Sequence, residues 1–491
     1  MADTAKIAKA ADRTEALGTA PIGKLLWEFS IPSIIAMLAN SLYNIIDTVF
    51  LQIALPQTGA AVTQLAYPLM CVLMACSMLA GIGGNALAAI ELGRGNRERV
   101  ERILANTAVL LFALALIACV AGTVFIEPLL RLLQTPAELW APTHTFVQII
   151  CVFFAFQSLG MGMNNFLRTA GRPNLALGTS FIGTLACIGL NALFVLGLGW
   201  GIAGSAYATV LGQMVAMVPV LWFFGFAKSA PFRFHVRNFR PDLRLMGNIM
   251  ALGMASFLMQ VASGIVTLVL NYVIEKYAAN DPIGITAAMA SISIVWKTLG
   301  LSYTVIIGIT AGAQPILGYN VGARQWARVL KCLKWACIDA ALVGLGCWIF
   351  LEAAPQVAVL PFNVGEDLLP FTCRTMRIFA LWLPFVGYQI MGSSYFQSSG
   401  QAVKASILEL TRQFLFLIPL YLLFPPLAMR WFGVTGLEGV TWCVPISDVL
   451  AFVVTTVFVV AEVRRLRAKV RAEAEADDTV EAPVAGEVVR D

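Results

Sequence analysis

Charge is scarce in this chain. Of its 491 residues only 12% are Asp, Glu, Lys or Arg, while 59% are hydrophobic and the mean hydropathy is +0.80. Counting the 40 glycines brings the apolar share to about 67%, beyond the roughly 45–50% of a soluble domain counted the same way. Too little polar surface remains to coat a water-facing globule, which excludes a soluble enzyme. Histidine is almost absent as well: His144 opens an apolar segment and His235 sits in a basic loop, so a histidine-rich metal or haem site is excluded. The ten cysteines lie in or beside apolar stretches and form no CxxC pair, which reads as small fillers and not a disulfide frame or metal site. A Walker sequence, a His-Glu-x-x-His helix, a DDxxD-type cluster and a Ser and Lys paired in facing runs are all missing. Primary ATP-driven transport and intramembrane catalysis therefore lack their signatures.

What the chain has in quantity is long unbroken apolar runs, where an outer-membrane barrel would alternate apolar and polar residues. Runs of helical length begin near Phe29, Val62, Ile103, His144, Leu175, Ile202, Leu245, Ile283, Trp335, Phe371, Ile407 and Val440. These predict about twelve spans, at the roughly 20 residues each needs to cross the hydrocarbon core. The first 28 residues are polar, so the first span is expected to be an uncleaved membrane helix and not a signal peptide.

Lysine and arginine set the expected orientation. Of the 33, 26 fall in one alternating set of segments: 6–24, 94–102, 168–172, 228–244, 324–334, 404 and 464–490. Positive-inside bias puts that set, and with it both termini, in the cytoplasm. An even number of spans follows independently of the hydropathy. The net charge of +5 is thus a topology signal, and no nucleic-acid partner is expected. After Arg464 the chain turns charged and free of aromatics, which reads as a helix end fraying into disorder.

The chain is also doubled. LGRGNRERVERIL from Leu92 matches LGYNVGARQWARVLKCL from Leu317; FLRTAGRPNLAL around Gly171 matches YFQSSGQAVKASIL around Gly400; GWGIAGSAYAT around Gly204 matches FGVTGLEGVT around Gly436. The offsets are 225, 229 and 232 residues, and matched loops fall on one side of the membrane. The repeats are therefore parallel, related by an axis along the membrane normal. The expected layout is a segment 1–20, a first lobe 21–227, a linker 228–244, a second lobe 245–463 and a tail 464–491. Two facing six-helix bundles create a central cleft, and rocking them gives alternating access, which suits a carrier better than a channel or a membrane enzyme.

IPSIIAMLANSLYNIIDTVF at 31–50, GIGGNALAAIELGRGNRERVERIL at 81–104, GLGWGIAGSAYAT at 197–209, AQPILGYNVGARQWARV at 313–329 and RQFLFLIPLYLL at 412–423 together resemble the MATE family of multidrug and toxic compound extrusion transporters, in particular its bacterial DinF-like and MepA-like branch. The resemblance runs from about Pro21 to Val463. It implies an all-α polytopic fold of about twelve transmembrane helices in two pseudo-symmetric bundles. It implies an antiporter of the bacterial inner membrane that expels organic or lipophilic cations in exchange for protons or sodium ions, working as a monomer without any other cofactor.

Ionisable residues at membrane depth are costly and usually functional. Asp47 in YNIIDTVF is the clearest, with Asn40, Tyr43 and Asn44 on or beside its helical face. A carboxylate there can trade a proton for a cation near neutral pH, because burial favours the neutral acid and a bound cation favours the anion. The resemblance adds Thr209, which matches the family's cation-contacting threonine, and it exposes a departure. DinF-like members usually carry a second aspartate in the fifth span, where this chain has Asn191; an asparagine upstream is replaced by Cys187. An amide offers an oxygen to a cation but cannot titrate, so the usual carboxylate pair is reduced to one acid, and a sodium ion would be sought only at Asp47. The acids that NorM-like members use in the seventh span have no counterpart, since that run offers only Gln260 and Asn271.

In the second half Lys297 sits within the eighth span, with Asp448 or Asp339 as expected partners, while Glu409 and Arg412, three apart, suggest a local pair. Asn40, Asn165, Met163, Gln260, Lys297 and Asp448 are the candidates for the substrate cleft. A lipid-linked sugar flippase of similar doubled architecture is the alternative; it would show cations in the cleft for a pyrophosphate, and only Lys297 and Arg412 qualify.

Overall fold

The computed structural model describes residues 14–54, 59–132, 137–279, 281–362 and 364–481, and among them every regular element is helical. The first half contributes α1 (Ile22–Ala54), α2 (Gly59–Gly93), α3 (Arg97–Leu132), α4 (Ala137–Thr169), α5 (Pro173–Asn191) and α6 (Gly201–Phe226). The second contributes α7 (Leu243–Ala278), α8 (Ile285–Gly322), α9 (Trp326–Ala353), α10 (Leu369–Ala380), α11 (Leu383–Ser398), α12 (Ala402–Leu410), α13 (Ile418–Phe432) and α14 (Gly436–Glu481).

Eleven of the described helical segments are long and apolar enough to cross a membrane. The twelfth expected span, from near Phe371, is present in two pieces, α10 and α11, separated by a turn at Leu381 and Trp382. The break lies where a proline would put it: Pro384 has no N–H to bond back to the preceding turn, so the helix stops ahead of it and restarts with the proline in the first turn of α11. In the fifth span of each half the helix loosens into a π-helical stretch, Ala192–Gly197 after α5 and Thr411–Leu417 between α12 and α13. Such stretches shift side-chain register and recur at functional sites.

Each lobe builds its own apolar cores, but the two exchange their leading helices. Ile22, Leu25, Leu26 and Phe29 of α1 are buried with Ala313 and Ile316 of α8 and Val329 and Cys332 of α9, and Leu245, Met246 and Ile249 of α7 are buried with residues of α2, α3 and α4. The lobes are thereby locked together at the face that carries the basic loops.

Glycines make that lock close-fitting, and they come in pairs related by a pseudo-two-fold axis. A Cβ at Gly253 would lie 1.8 Å from the Leu79 carbonyl oxygen, and one at Gly308 2.7 Å from Ile34 Cα. One at Gly83 would lie 2.1 Å from Ile249 O, and one at Gly312 2.7 Å from Ser30 N. One at Gly93 would lie 1.9 Å from Tyr319 O, and one at Gly322 1.9 Å from Ile90 O. These matched contacts correct the repeat. The second helix of each half is related by 229 residues, not the 225 read from the LeuGly pairs, so Gly93 answers to Gly322. The first helix is related by 219, with Ile34 answering to Gly253. The same 229 joins Gly171 (φ 70°) to Gly400 (φ 82°), both left-handed turn residues, and sets Gly95 (φ 77°) against Arg324 (φ 59°). Arg324 is the non-glycine that keeps the turn's conformation at some cost in strain.

The linker is folded onto the first lobe. Glu101 of α3 accepts from Arg233 N at 3.2 Å and meets His235 at 3.4 Å, while Asn106 accepts from Asp242 N at 2.9 Å. Phe224 and the buried Phe232 stack with centroids 5.6 Å apart. Asp242 then N-caps α7, accepting from Arg244 N and Leu245 N at 3.0 and 3.1 Å. Ahead of α1, residues 14–19 are helical, and Arg328 gathers their free carbonyls, donating to Leu17 O at 3.2 Å and Ala20 O at 2.8 Å. At the other end α14 continues through Glu481, well past Arg464 where a fraying tail was expected.

Candidate functional site

Three helices of the first lobe each present a pair of polar side chains four residues apart, and the pairs converge. From α1 come Tyr43 and Asp47, from α5 Cys187 and Asn191, from α6 Ser205 and Thr209; a spacing of four puts both members on one helical face. Ser205 Oγ donates to Asp47 Oδ1 at 2.9 Å, the Tyr43 and Thr209 hydroxyls share a short hydrogen bond, and Cys187 Sγ points at the Thr209 carbonyl at 3.7 Å.

The nest is shielded but not sealed. Cys187, Asn191 and Ser205 are wholly buried and Tyr43 nearly so, whereas Asp47 and Thr209 are half-buried. Asn191 is wholly buried, and its amide is turned to the Asp47 carboxylate, which it approaches as a loose hydrogen-bond donor. It sits where the π-helical turn begins, which fixes its position on the wall of the nest. A carboxylate, an amide oxygen and two or three hydroxyls are the hard oxygen donors that a proton or a small monovalent cation requires. No cluster of three or more His, Cys, Asp or Glu that would suit a divalent metal occurs among the described residues.

The structure thus brings together Asp47, Tyr43, Asn191 and Thr209 of the expected coupling residues. The side chain of Asn44 lies outside the described residues. Ser205 was missed, because a lone serine in an apolar helix is commonplace; its place four residues before Thr209 was the available signal.

The expected cleft residues scatter. Met163 is fully buried in the core of the first lobe: a methionine suits a core and a cleft alike, so its type alone cannot separate the two. Asn165 accepts from the buried Arg168 at 2.8 Å, and Arg168 also donates to Ser33 of α1 at 3.0 Å, near the closed basic face. Gln260 of α7 lies at the α2–α7 seam, where by the 219-residue relation it answers to Ser41. Asn40 is exposed on α1.

Asp448 is not the partner of Lys297. It is buried and paired with Arg412, Nε to Oδ1 at 2.9 Å, and Arg412 donates a second bond to Tyr303 at 3.0 Å. Arg412 thereby turns to α14 and α8 and not to Glu409 on its own helix. Like Asn191 it sits at a π-helical stretch, so each lobe places its central polar residue at the same irregularity of its fifth span.

A doubled six-span bundle with an acid-bearing nest in one lobe and a seam of glycines between the lobes has the architecture of a membrane carrier. The MatE family profile matches residues 32–193 and 252–423, one match in each half. The chain belongs to the MATE family. It is 23% identical over 448 residues to the multidrug export protein MepA of Staphylococcus haemolyticus, covering 90% of this chain and 94% of that one. With MepA of Staphylococcus aureus the identity is 22% over 434 residues, covering 88% and 92%. Among solved structures, a MOP superfamily transporter from Pyrococcus furiosus superposes with a TM-score of 0.85 at 20% identity, covering 92% of this chain and 98% of that one. An outward-facing multidrug resistance MATE family transporter superposes with a TM-score of 0.84 at 22% identity and the same coverage. The relatives are transporters, not enzymes.

Proposed function

We propose that this protein is a secondary antiporter of a bacterial inner membrane, with its basic face and both termini in the cytoplasm, that exports amphiphilic organic molecules in exchange for protons or sodium ions. It acts as a monomer, and it alternates by rocking its two lobes across the glycine seam. The observation that carries the reading is the nest around Asp47, a half-buried acid ringed by a buried amide and hydroxyls. A proton on the carboxylate, or a cation shared between Asp47 and the Asn191 oxygen, can be held there and released.

Because Asn191 cannot titrate, the nest exchanges at most one monovalent charge per cycle. Swapping one proton for a monovalent cation moves no net charge. The ion gradient then drives export, and the membrane potential, about 2.3 kcal/mol per charge per 100 mV, contributes little. Proteoliposomes separate these drives: an ion gradient should support accumulation of a cationic dye, and strong accumulation under an imposed potential without an ion gradient would refute the single-charge reading. Asp47→Asn should abolish coupled uptake, and an unimpaired mutant would remove Asp47 from the coupling site. The flippase alternative is weakened by Arg412, which is committed to Asp448 and leaves Lys297 where a pyrophosphate carrier needs several cations.

A further inference from the structure

Lys297 is the cation that this export reading leaves without a task. It is exposed on α8, and among the described residues it makes no ion pair. Its direction follows from the seam. Gly312 abuts Ser30, Gly308 abuts Ile34, and the Ser41 and Thr304 hydroxyls meet at 3.2 Å, so these positions define the side of α8 that faces α1. Lys297 lies seven residues before Thr304 and eleven before Gly308, nearly two and three full turns of helix, and therefore on that same side. The opposite side of α8, with Val295, Leu299 and Ile306, is buried in the core of the second lobe.

One turn beyond Thr304 the close contact ends. Among the described residues a Cβ at Gly300 would meet nothing within 4 Å, whereas its repeat mate Cys71 still approaches Gly264, whose Cβ would lie 3.5 Å from Cys71 Cβ. Lys297, the next residue along that side, faces the gap between the lobes. Because α1 and α8 run antiparallel, the pairing of Ser30 with Gly312 and of Ser41 with Thr304 carries Lys297 to the level of residues 45–48, the depth of Asp47. Neither charge is repeated: the 229-residue relation carries Lys297 onto Pro68, and the 219-residue relation carries Asp47 onto Val266. The two charges share a depth but not a direction: Lys297 lies on the side of α8 that faces α1, while Asp47 lies roughly a third of a turn away from the α8-facing side of α1 and is bonded to Ser205 of α6.

We propose that Lys297 is the anion subsite between the lobes, so that the preferred cargo is an amphiphile bearing a carboxylate as well as a cationic group, the carboxylate held by Lys297. The proposal rests on the export reading and names its substrate class. A matched pair of probes tests it: rhodamine B, with a free carboxylate beside its xanthylium cation, and its ethyl ester, which keeps only the cation. Binding to the detergent-purified protein is read by fluorescence anisotropy, and transport in proteoliposomes under an imposed ion gradient.

Wild type should bind the acid more tightly than the ester. Lys297→Met should weaken the acid by roughly tenfold to a hundredfold, the range of one charge-assisted hydrogen bond, and leave the ester within about twofold. Lys297→Arg should retain the preference for the acid. An acid-to-ester ratio unchanged in Lys297→Met, or an equal loss of both dyes, overturns the proposal while the export reading stands. Transport of neither dye by wild type under any ion gradient overturns the export reading, and the proposal with it.

Discussion

The glycine seam makes the balance between conformations sensitive to single methyl groups. A Cβ at Gly253 would lie 1.8 Å from Leu79 O and 2.6 Å from Leu79 C, both backbone atoms that no side-chain rotation moves aside. Ordinary contact begins near ~3.4 Å, so Gly253→Ala forces α7 and α2 apart by about 1.5 Å. Overpacking of this kind costs about 1–3 kcal/mol. Only the conformation with the basic face closed bears that cost, so its population relative to one open there should fall by about 5- to 150-fold. Gly83→Ala, whose Cβ would lie 2.1 Å from Ile249 O on the same pair of helices, should act in the same direction. The double mutant should fall short of additivity, because one separation accommodates both methyl groups. The assay is the rate at which a membrane-impermeant maleimide labels a cysteine placed at Ile249, fully buried in the seam, in a background freed of the ten native cysteines. Labelling from the basic face should accelerate in Gly253→Ala and Gly83→Ala, and stay unchanged in Gly225→Ala, where a Cβ meets nothing within 4 Å. Unchanged labelling in folded Gly253→Ala, or an equal rise in Gly225→Ala, would refute the reasoning.

Two further outcomes follow from the buried polar groups. Arg412→Met should lower the thermal stability of the purified protein by about 3–5 kcal/mol, because it strands Asp448 in the core, and adding Asp448→Leu should recover most of that loss; a double mutant no more stable than the single would show that the pair does more than neutralise itself. Asn191→Asp restores the second acid that the resemblance led one to expect, and uptake of a monovalent cationic dye should then respond to an imposed membrane potential, as wild type should not with that dye; a response identical to wild type would mean that the added carboxylate never changes charge during the cycle.

Parts of this molecule were legible in the sequence for a plain physical reason. An acid in an apolar run is conspicuous, so Asp47 stood out, and hydroxyls or amides a turn away on one helix could be enlisted from spacing alone. Features fixed by one helix against another were not legible. Met163 and Lys297 were both cleft candidates, yet one is core and the other faces the gap, and only the register of α8 on α1 decides between them. Asp448 found Arg412 and not Lys297 for the same reason. The repeat was visible, but its offset was misjudged at the LeuGly pairs. Leu317 and Gly318 imitate Leu92 and Gly93 in sequence, while the reciprocal close approaches of Gly93 and Gly322 show which glycines play the same part. The break between α10 and α11 had its signal in Pro384, which an apolar run otherwise concealed.

The linker bears on how the two halves are joined. Its bonds to Glu101 and Asn106 tie it to the first lobe, and the change of lobe is completed at Asp242, whose N–H is held by α3 while its carboxylate caps α7. A duplicated chain is readily pictured as two modules on a slack tether. Here the tether has been absorbed into one module, and the first turns of α7 are packed into that module with it. Any swing of one half against the other therefore has to slide or part the α7–α2 and α1–α8 faces themselves, and the linker follows that motion without setting it.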